Sequence, residues 1–106
     1  MFTVIYHNEA EAELKALPLT LRVKLDKLIG LLQDDPRILR EPHTKPLVKG
    51  LYEVRTPGND AVRGIWVYQT GRRIYMLRIF IKKTQKTPSS ELKLALRRLE
   101  EMKREI

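Results

Sequence analysis

Arg55 and Arg63 stand on either side of a turn signal, Thr56-Pro57-Gly58-Asn59-Asp60, and the lysines Lys82, Lys83 and Lys86 follow a long apolar stretch. A guanidinium presents its donors in a planar fork that matches a pair of phosphate oxygens. A lysine crowded by other cations loses basicity, which fits it to exchange a proton. Residues of these types on one surface would hold a phosphate and stabilise negative charge developing on it. Each also has a structural alternative. Arg55 is either a phosphate ligand or an exposed strand residue paired with Glu53 or Asp60. Arg63 has apolar Ala61 and Ile65 as its second neighbours, and a cation among them is costly without an anionic partner. Arg78 interrupts an apolar run and is either half of a buried ion pair or a cation turned to a substrate. Phe80 shares its face and either stacks on a base or belongs to the core. The lysine run either grips a polyanion or also takes part in its chemistry.

The charge around these residues is local. Residues 1–35 carry a net −2, residues 36–88 a net +9 and residues 89–106 a net +1, within a total of +8. A solubilising surface intersperses both signs, so this concentration favours a polyanionic partner. Two histidines and no cysteine exclude disulfides, thiolate metal sites and cysteine nucleophiles. The basic segment has only Glu41, Glu53 and Asp60 as carboxylates, and no metal or cofactor is expected. His7 and His43 invite a two-histidine mechanism, but nothing in the sequence brings them together, and they read as surface residues. Tyr52, Tyr68 and Tyr75 read as core or rim aromatics.

The chain's 106 residues, 42% hydrophobic, suit one domain over 1–106 with a packed core. The start, Met1-Phe2-Thr3-Val4-Ile5-Tyr6-His7, lacks the pattern of a secretory signal, and no apolar run approaches the ~20 residues that span a bilayer. A soluble, cytoplasmic protein without a membrane partner is expected.

The scaffold follows from periodicity. Phe2, Val4 and Tyr6 alternate with Thr3 and Ile5, predicting a first strand. Asn8 offers an N-cap, and Ala10, Leu14 and Leu17 predict a short helix up to Pro18. Pro18 opens a second helix whose stripe is Leu21, Leu25, Leu28 and Leu32. Pro36, Pro42 and Pro46 leave 36–50 without a period, a loop. Strands are predicted over 51–55, 61–68 and 73–81, the last apolar enough to be central and covered on most of both faces. Thr87 as cap and Pro88 as first residue open a final helix with Leu92, Ala95, Leu99, Met102 and Ile106 on one face. The order β-α-α-β-β-β-α predicts an α+β fold, a mainly antiparallel four-stranded sheet with helices packed on one face and the other open. Leu21, Leu25, Leu28, Leu32, Leu92 and Leu99 are expected in one core.

Lys45-Pro46-Leu47, Gly50-Leu51-Tyr52-Glu53-Val54-Arg55 and Val62-Arg63 precede a more specific run, Phe80-Ile81-Lys82-Lys83-Thr84-Gln85-Lys86-Thr87-Pro88. In these residues, and along nearly the whole chain, the sequence resembles the RelE/ParE toxin superfamily, and within it the phage Gp49-like, HigB-type branch. The last run is similar to that branch's Phe-x-Lys-Lys-Thr-Gln-Lys-Thr-Pro signature. The resemblance implies a RelE-like sheet with a basic face and the toxin role of a type II toxin–antitoxin system. It also implies a cognate antitoxin, of helix-turn-helix type and encoded by the adjacent gene, and metal-free cleavage of mRNA on the ribosome that inhibits translation. Two positions depart from the pattern. Some RelE members carry two lysines in the strand matching 51–55, where this chain has Leu51 and Glu53. The Gp49-like branch often has a histidine where this chain has Arg78.

Metal-free RNA cleavage requires a deprotonated 2′-hydroxyl, a stabilised phosphate and a protonated 5′-oxygen. Arg55, Arg63, Lys82 and Lys83 are assigned to this chemistry, and Lys45, Lys49, Arg78, Phe80 and Lys86 to binding RNA. One of Lys82 and Lys83 is expected to affect rate and Lys86 only binding, because a residue near the strand end is held more firmly. Two alternatives remain open. A gyrase-inhibiting toxin of ParE type would share the fold without cutting RNA, and a non-enzymatic nucleic-acid-binding regulatory module would bind with steep salt dependence but no toxicity.

Overall fold

The computed structural model describes residues 1–37, 39, 43–58, 61–83 and 86–105. Glu41, Pro42, Asn59, Asp60, Thr84, Gln85 and Ile106, which enter the sequence reading, lie outside the described residues. The elements are β1 (Thr3–Tyr6), α1 (Asn8–Ala16), α2 (Leu19–Asp34), β2 (Thr44–Pro46), β3 (Tyr52–Arg55), β4 (Val62–Gln69), β5 (Arg73–Ile81) and α3 (Ser89–Arg104). They form an α+β fold, as expected, around one sheet in the order β1-β5-β4-β3-β2. β1 runs parallel to β5 and the other neighbours pair antiparallel.

Among the described residues the sheet has five strands rather than four. The added β2 lies in the segment expected to be loop. It is three residues long and ends in Pro46, too short for a period to show and confined by its proline to an edge. Thr44 Oγ1 donates to the Glu53 carbonyl at 2.7 Å and reinforces the pairing with β3.

Two helix starts differ from expectation. His7, not Asn8, caps α1, its Nδ1 accepting the Glu9 N–H at 3.0 Å. At the start of α3 the cap position falls to Pro88, with no side-chain hydrogen bond, because the Thr87 hydroxyl is engaged elsewhere.

Helices cover both faces of the sheet, which corrects the one-face arrangement. Successive residues of a strand point to opposite sides. Along β5, Ile74 and Met76 pack with Leu25, Leu28 and Leu32 of α2 and Leu14 of α1, whereas Tyr75 and Leu77 pack with Ala95, Leu99 and Met102 of α3. The six leucines expected in one core therefore divide between two, Leu21 with the α2 group and Leu92 with the α3 group. An apolar strand buried on both faces requires this, since either face left bare would expose a contiguous hydrophobic patch. At Gly64, between the flanking strands, an added Cβ would lie 3.0 Å from Val54 Cγ1 and 3.1 Å from Met76 Sδ. Among the described residues no helix is long and apolar enough to cross a membrane.

Candidate functional site

The strand register sets charged side chains in rows. Arg55 lies opposite Arg63, and Arg63 opposite Phe80. In the adjacent row Lys45 faces Glu53, Glu53 faces Ile65, and Ile65 faces Arg78. Ile65 belongs to the α3 core, so both rows lie on the α3 side of the sheet, and Lys82, two residues beyond Phe80, shares that side by alternation. The Lys82 N–H donates to the Ala61 carbonyl at 2.8 Å, so its backbone still belongs to the sheet.

Glu53 forms the floor of this cluster, with no solvent exposure. Its Oε1 lies 3.7 Å from Arg63 Nε and 3.9 Å from Arg55 Nη1, and its Oε2 accepts the Thr87 hydroxyl at 2.5 Å. Among the described residues neither Glu53 Oε1 nor Arg63 Nε has a hydrogen-bond partner, although both are buried. Left without a partner in the interior, such groups cost about 1–3 kcal/mol each.

Lys82 is 4% exposed. Burial depresses its pKa below the usual lysine value, and Arg63, Lys45 and Arg55 push it the same way against the pull of Glu53. Burial likewise lowers the Arg63 guanidinium, with Glu53 opposing and Arg55 assisting. The arrangement can do two things: gather cations against a phosphate, and hold one amine with a reduced proton affinity.

The other sequence-assigned residues lie at different distances from this centre. Lys83 is exposed and lines a groove with Phe80, Ile81, Lys82, Pro88 and Glu91. Lys45 and Lys86 flank an open groove of about 370 Å³ whose apolar wall includes Leu47, Val48 and Leu92. Lys49 is exposed in the turn between β2 and β3, with a positive φ of 56°.

Arg78, assigned to RNA, takes its structural alternative. It pairs with Glu13 of α1 and, at 2.7 Å, with Glu91 of α3. Glu13 also accepts from Arg98 at 2.8 and 2.9 Å and from the Ile79 N–H at 3.1 Å, while Arg98 donates to the Leu77 carbonyl at 3.0 Å. The reason lies in β1, whose pairing with β5 stops at Tyr6 opposite Met76. Beyond it the β5 edge needs an acceptor and a donor, and Glu13 and Arg98 supply them. The Arg78 guanidinium carbon also lies 5.5 Å from the Phe80 ring centroid, so a cation already occupies one face of that ring.

The histidines stand on opposite edges of the sheet, His7 after β1 and His43 before β2, with His7 Nε2 2.8 Å from Glu101 Oε1. Tyr52 stacks on Trp66 with ring centroids 4.7 Å apart and Tyr68 meets both edge-on, a cluster on the α2 side, while Tyr75 is buried under α3. The sequence offered Glu53 only as a structural partner of Arg55, which the structure places 3.9 Å from it, and Thr87 only as a helix cap, and neither as part of the site. The signal for Glu53 was its phase, because it alternates with Leu51 and Arg55 on one face, where a carboxylate in line with a buried leucine needs a cation.

This architecture is that of the RelE-type toxins. It superposes on a mutant of E. coli toxin RelE in the free state with a TM-score of 0.69 and 16% identity, over 92% of this chain and 96% of that one. It also superposes on a chain of the toxin–antitoxin complex RelBE2 from Mycobacterium tuberculosis, with a TM-score of 0.58 and 20% identity over 76% of this chain and 98% of that one. The sequence model of the phage derived protein Gp49-like family matches residues 12–100, and the chain belongs to that family. No curated protein matches the sequence.

Proposed function

We propose that the chain is the toxin of a type II toxin–antitoxin pair and a metal-free endoribonuclease that cuts mRNA on the ribosome, thereby stopping translation. The observation that carries this reading is the convergence of Arg55, Arg63 and Lys82 on one face above Glu53, with the Lys82 amine lowered by burial and by Arg63. Membership of the Gp49-like family and the RelE fold support it.

In this mechanism the scissile phosphate lies over the arginine row, and the guanidinium groups stabilise the charge that grows on its non-bridging oxygens. Lys82 is assigned to proton transfer. In its neutral form it takes the proton of the 2′-hydroxyl, and the phosphate overhead then favours the charged amine. The 2′-oxygen bonds to phosphorus as the bond to the 5′-oxygen breaks, leaving a cyclic phosphate and a 5′-oxygen that takes a proton from water, and Lys82 returns its proton to solvent. Lys45, Lys49, Lys83 and Lys86 contact the RNA backbone around this centre. An antitoxin of helix-turn-helix type, encoded by the adjacent gene, covers the basic face with an acidic segment.

Induced expression in bacteria tests the reading. Growth arrest with new mRNA 5′-ends inside translated regions, relieved by co-expression of the adjacent gene, is the expected result. Arrest with intact mRNA and broken DNA would support a gyrase poison instead, and undisturbed growth would remove the toxin role.

A further inference from the structure

Glu53 is wholly buried, so it cannot touch a substrate, and the mechanism above gives it no part. Its surroundings are nevertheless those of a working group. A carboxylate and a guanidinium that pair for stability close to hydrogen-bond distance, often through two parallel bonds. Here two arginines stop 3.7 and 3.9 Å from one oxygen, and among the described residues both Oε1 and Arg63 Nε lack hydrogen bonds. The charge of Glu53 thus draws the Arg63 guanidinium inward without engaging its Nε donor. The second oxygen is clasped by Thr87 at 2.5 Å, which fixes the rotation of the carboxylate and ties the residue before α3 to the floor of the site. Across the lysine segment, Lys82 is anchored to Ala61 and Thr87 to Glu53.

We propose that Glu53 is the positioning residue of the site, holding the Arg55 and Arg63 guanidinium groups in their row through Oε1 and the Thr87 end of the lysine segment through Oε2. The proposal rests on the nuclease reading for its effect on rate, though not for its effect on the arginines. A negative charge under a cationic site opposes phosphate attraction while it orders the groups that meet the phosphate, so binding and rate should respond in opposite senses. A residue that only supports the fold would lower both together, in step with the folded fraction.

Glu53→Gln keeps the shape and an oxygen for Thr87 and removes the charge. This variant is expected to bind single-stranded RNA at least as tightly as the parent and to cut ribosome-bound mRNA, at saturation, about tenfold or more slowly. Should it fail to fold, Thr87→Val and Thr87→Ser separate the roles: the serine variant keeps the hydroxyl and the rate, and the valine variant loses rate. Nitrogen-15 spectra of the arginine Nε–H groups in the RNA-free protein give a readout independent of activity, with the Arg55 and Arg63 resonances expected to move in Glu53→Gln, or in Thr87→Val. Unmoved resonances, or cleavage at the parent rate by Glu53→Gln and Thr87→Val, would overturn the proposal. If the parent protein cuts no RNA, the nuclease reading falls alone, and the resonances still decide whether Glu53 orders the arginines.

Discussion

Lys82 combines a firmly held backbone with an amine that the fold disfavours in its charged form. Its folded-state pKa lies below the ordinary 10.5, first because of burial and then because of Arg63. By linkage, the charged amine destabilises the fold at all pH values below its folded pKa. That penalty fades as pH rises through the folded pKa and is gone above 10.5. Lys82→Met, which keeps length and removes charge, is therefore expected to abolish cleavage yet raise the thermal midpoint at pH 7, with the gain shrinking as melts are repeated at rising alkaline pH. An equal or lower midpoint at pH 7 would mean that the amine stabilises the fold. The cationic members of the site were legible in the sequence, since an arginine on each of two adjoining strands and a lysine just past the third must fall close together in an antiparallel meander. The phase of Glu53 put it on the arginines' face, but its complete burial as their floor was not legible, because that depends on the α3 side of the core and on Thr87 being turned inward rather than capping.

At the scale of elements, the end of β1 creates a problem that α1 and α3 solve together. Glu13 is pushed up by burial, but the Arg98 hydrogen bond, the Ile79 N–H and the charges of Arg78 and Arg98 outweigh this and hold it below the ordinary carboxylate value. Its contribution to stability is thus present above pH 4.5 and lost as pH falls below that value. Glu13→Ala leaves Arg78 without one of its two carboxylates and the β5 edge without an acceptor, and is expected to cost about 3 kcal/mol in chemical denaturation at pH 7. A loss under about 1 kcal/mol would place the network in the class of surface pairs. Arg78 shows why sequence alone left two readings: its carboxylate partners Glu13 and Glu91 lie on α1 and α3, and only the folded chain brings both to β5. The four predicted strands, now β1, β3, β4 and β5, and the three helices were legible from periodicity, whereas β2 offered too few residues to show a pattern. The two-sided burial was half legible, since the apolar run of β5 called for cover on both faces although the helices were expected on one.

Across the whole molecule, the positive charge of residues 36–88 includes the arginine row itself and, beside it, the lysines Lys45 and Lys86. Lys45 and Lys86, on the rims of one groove, are expected to contribute binding and not chemistry. Replacing both with glutamine should reduce the magnitude of the logarithmic salt slope for single-stranded RNA by roughly 1.4, since each phosphate contact contributes about 0.7, and leave cleavage at saturation unchanged. A fall in the saturated rate would move one of them into the reacting centre.

On the proposed mechanism the arginine row acts on RNA in the transition state. Its most direct test is single-turnover cleavage of labelled mRNA on translating ribosomes, at saturating protein, with the parent chain and with Arg63→Lys, which keeps a positive charge beside Glu53 but removes the guanidinium fork. The parent is expected to cut, and Arg63→Lys to cut about a hundredfold more slowly with ribosome binding and thermal midpoint retained. Intact mRNA with the parent chain would remove the nuclease role, and cleavage by Arg63→Lys at the parent rate would remove the guanidinium fork from the transition state.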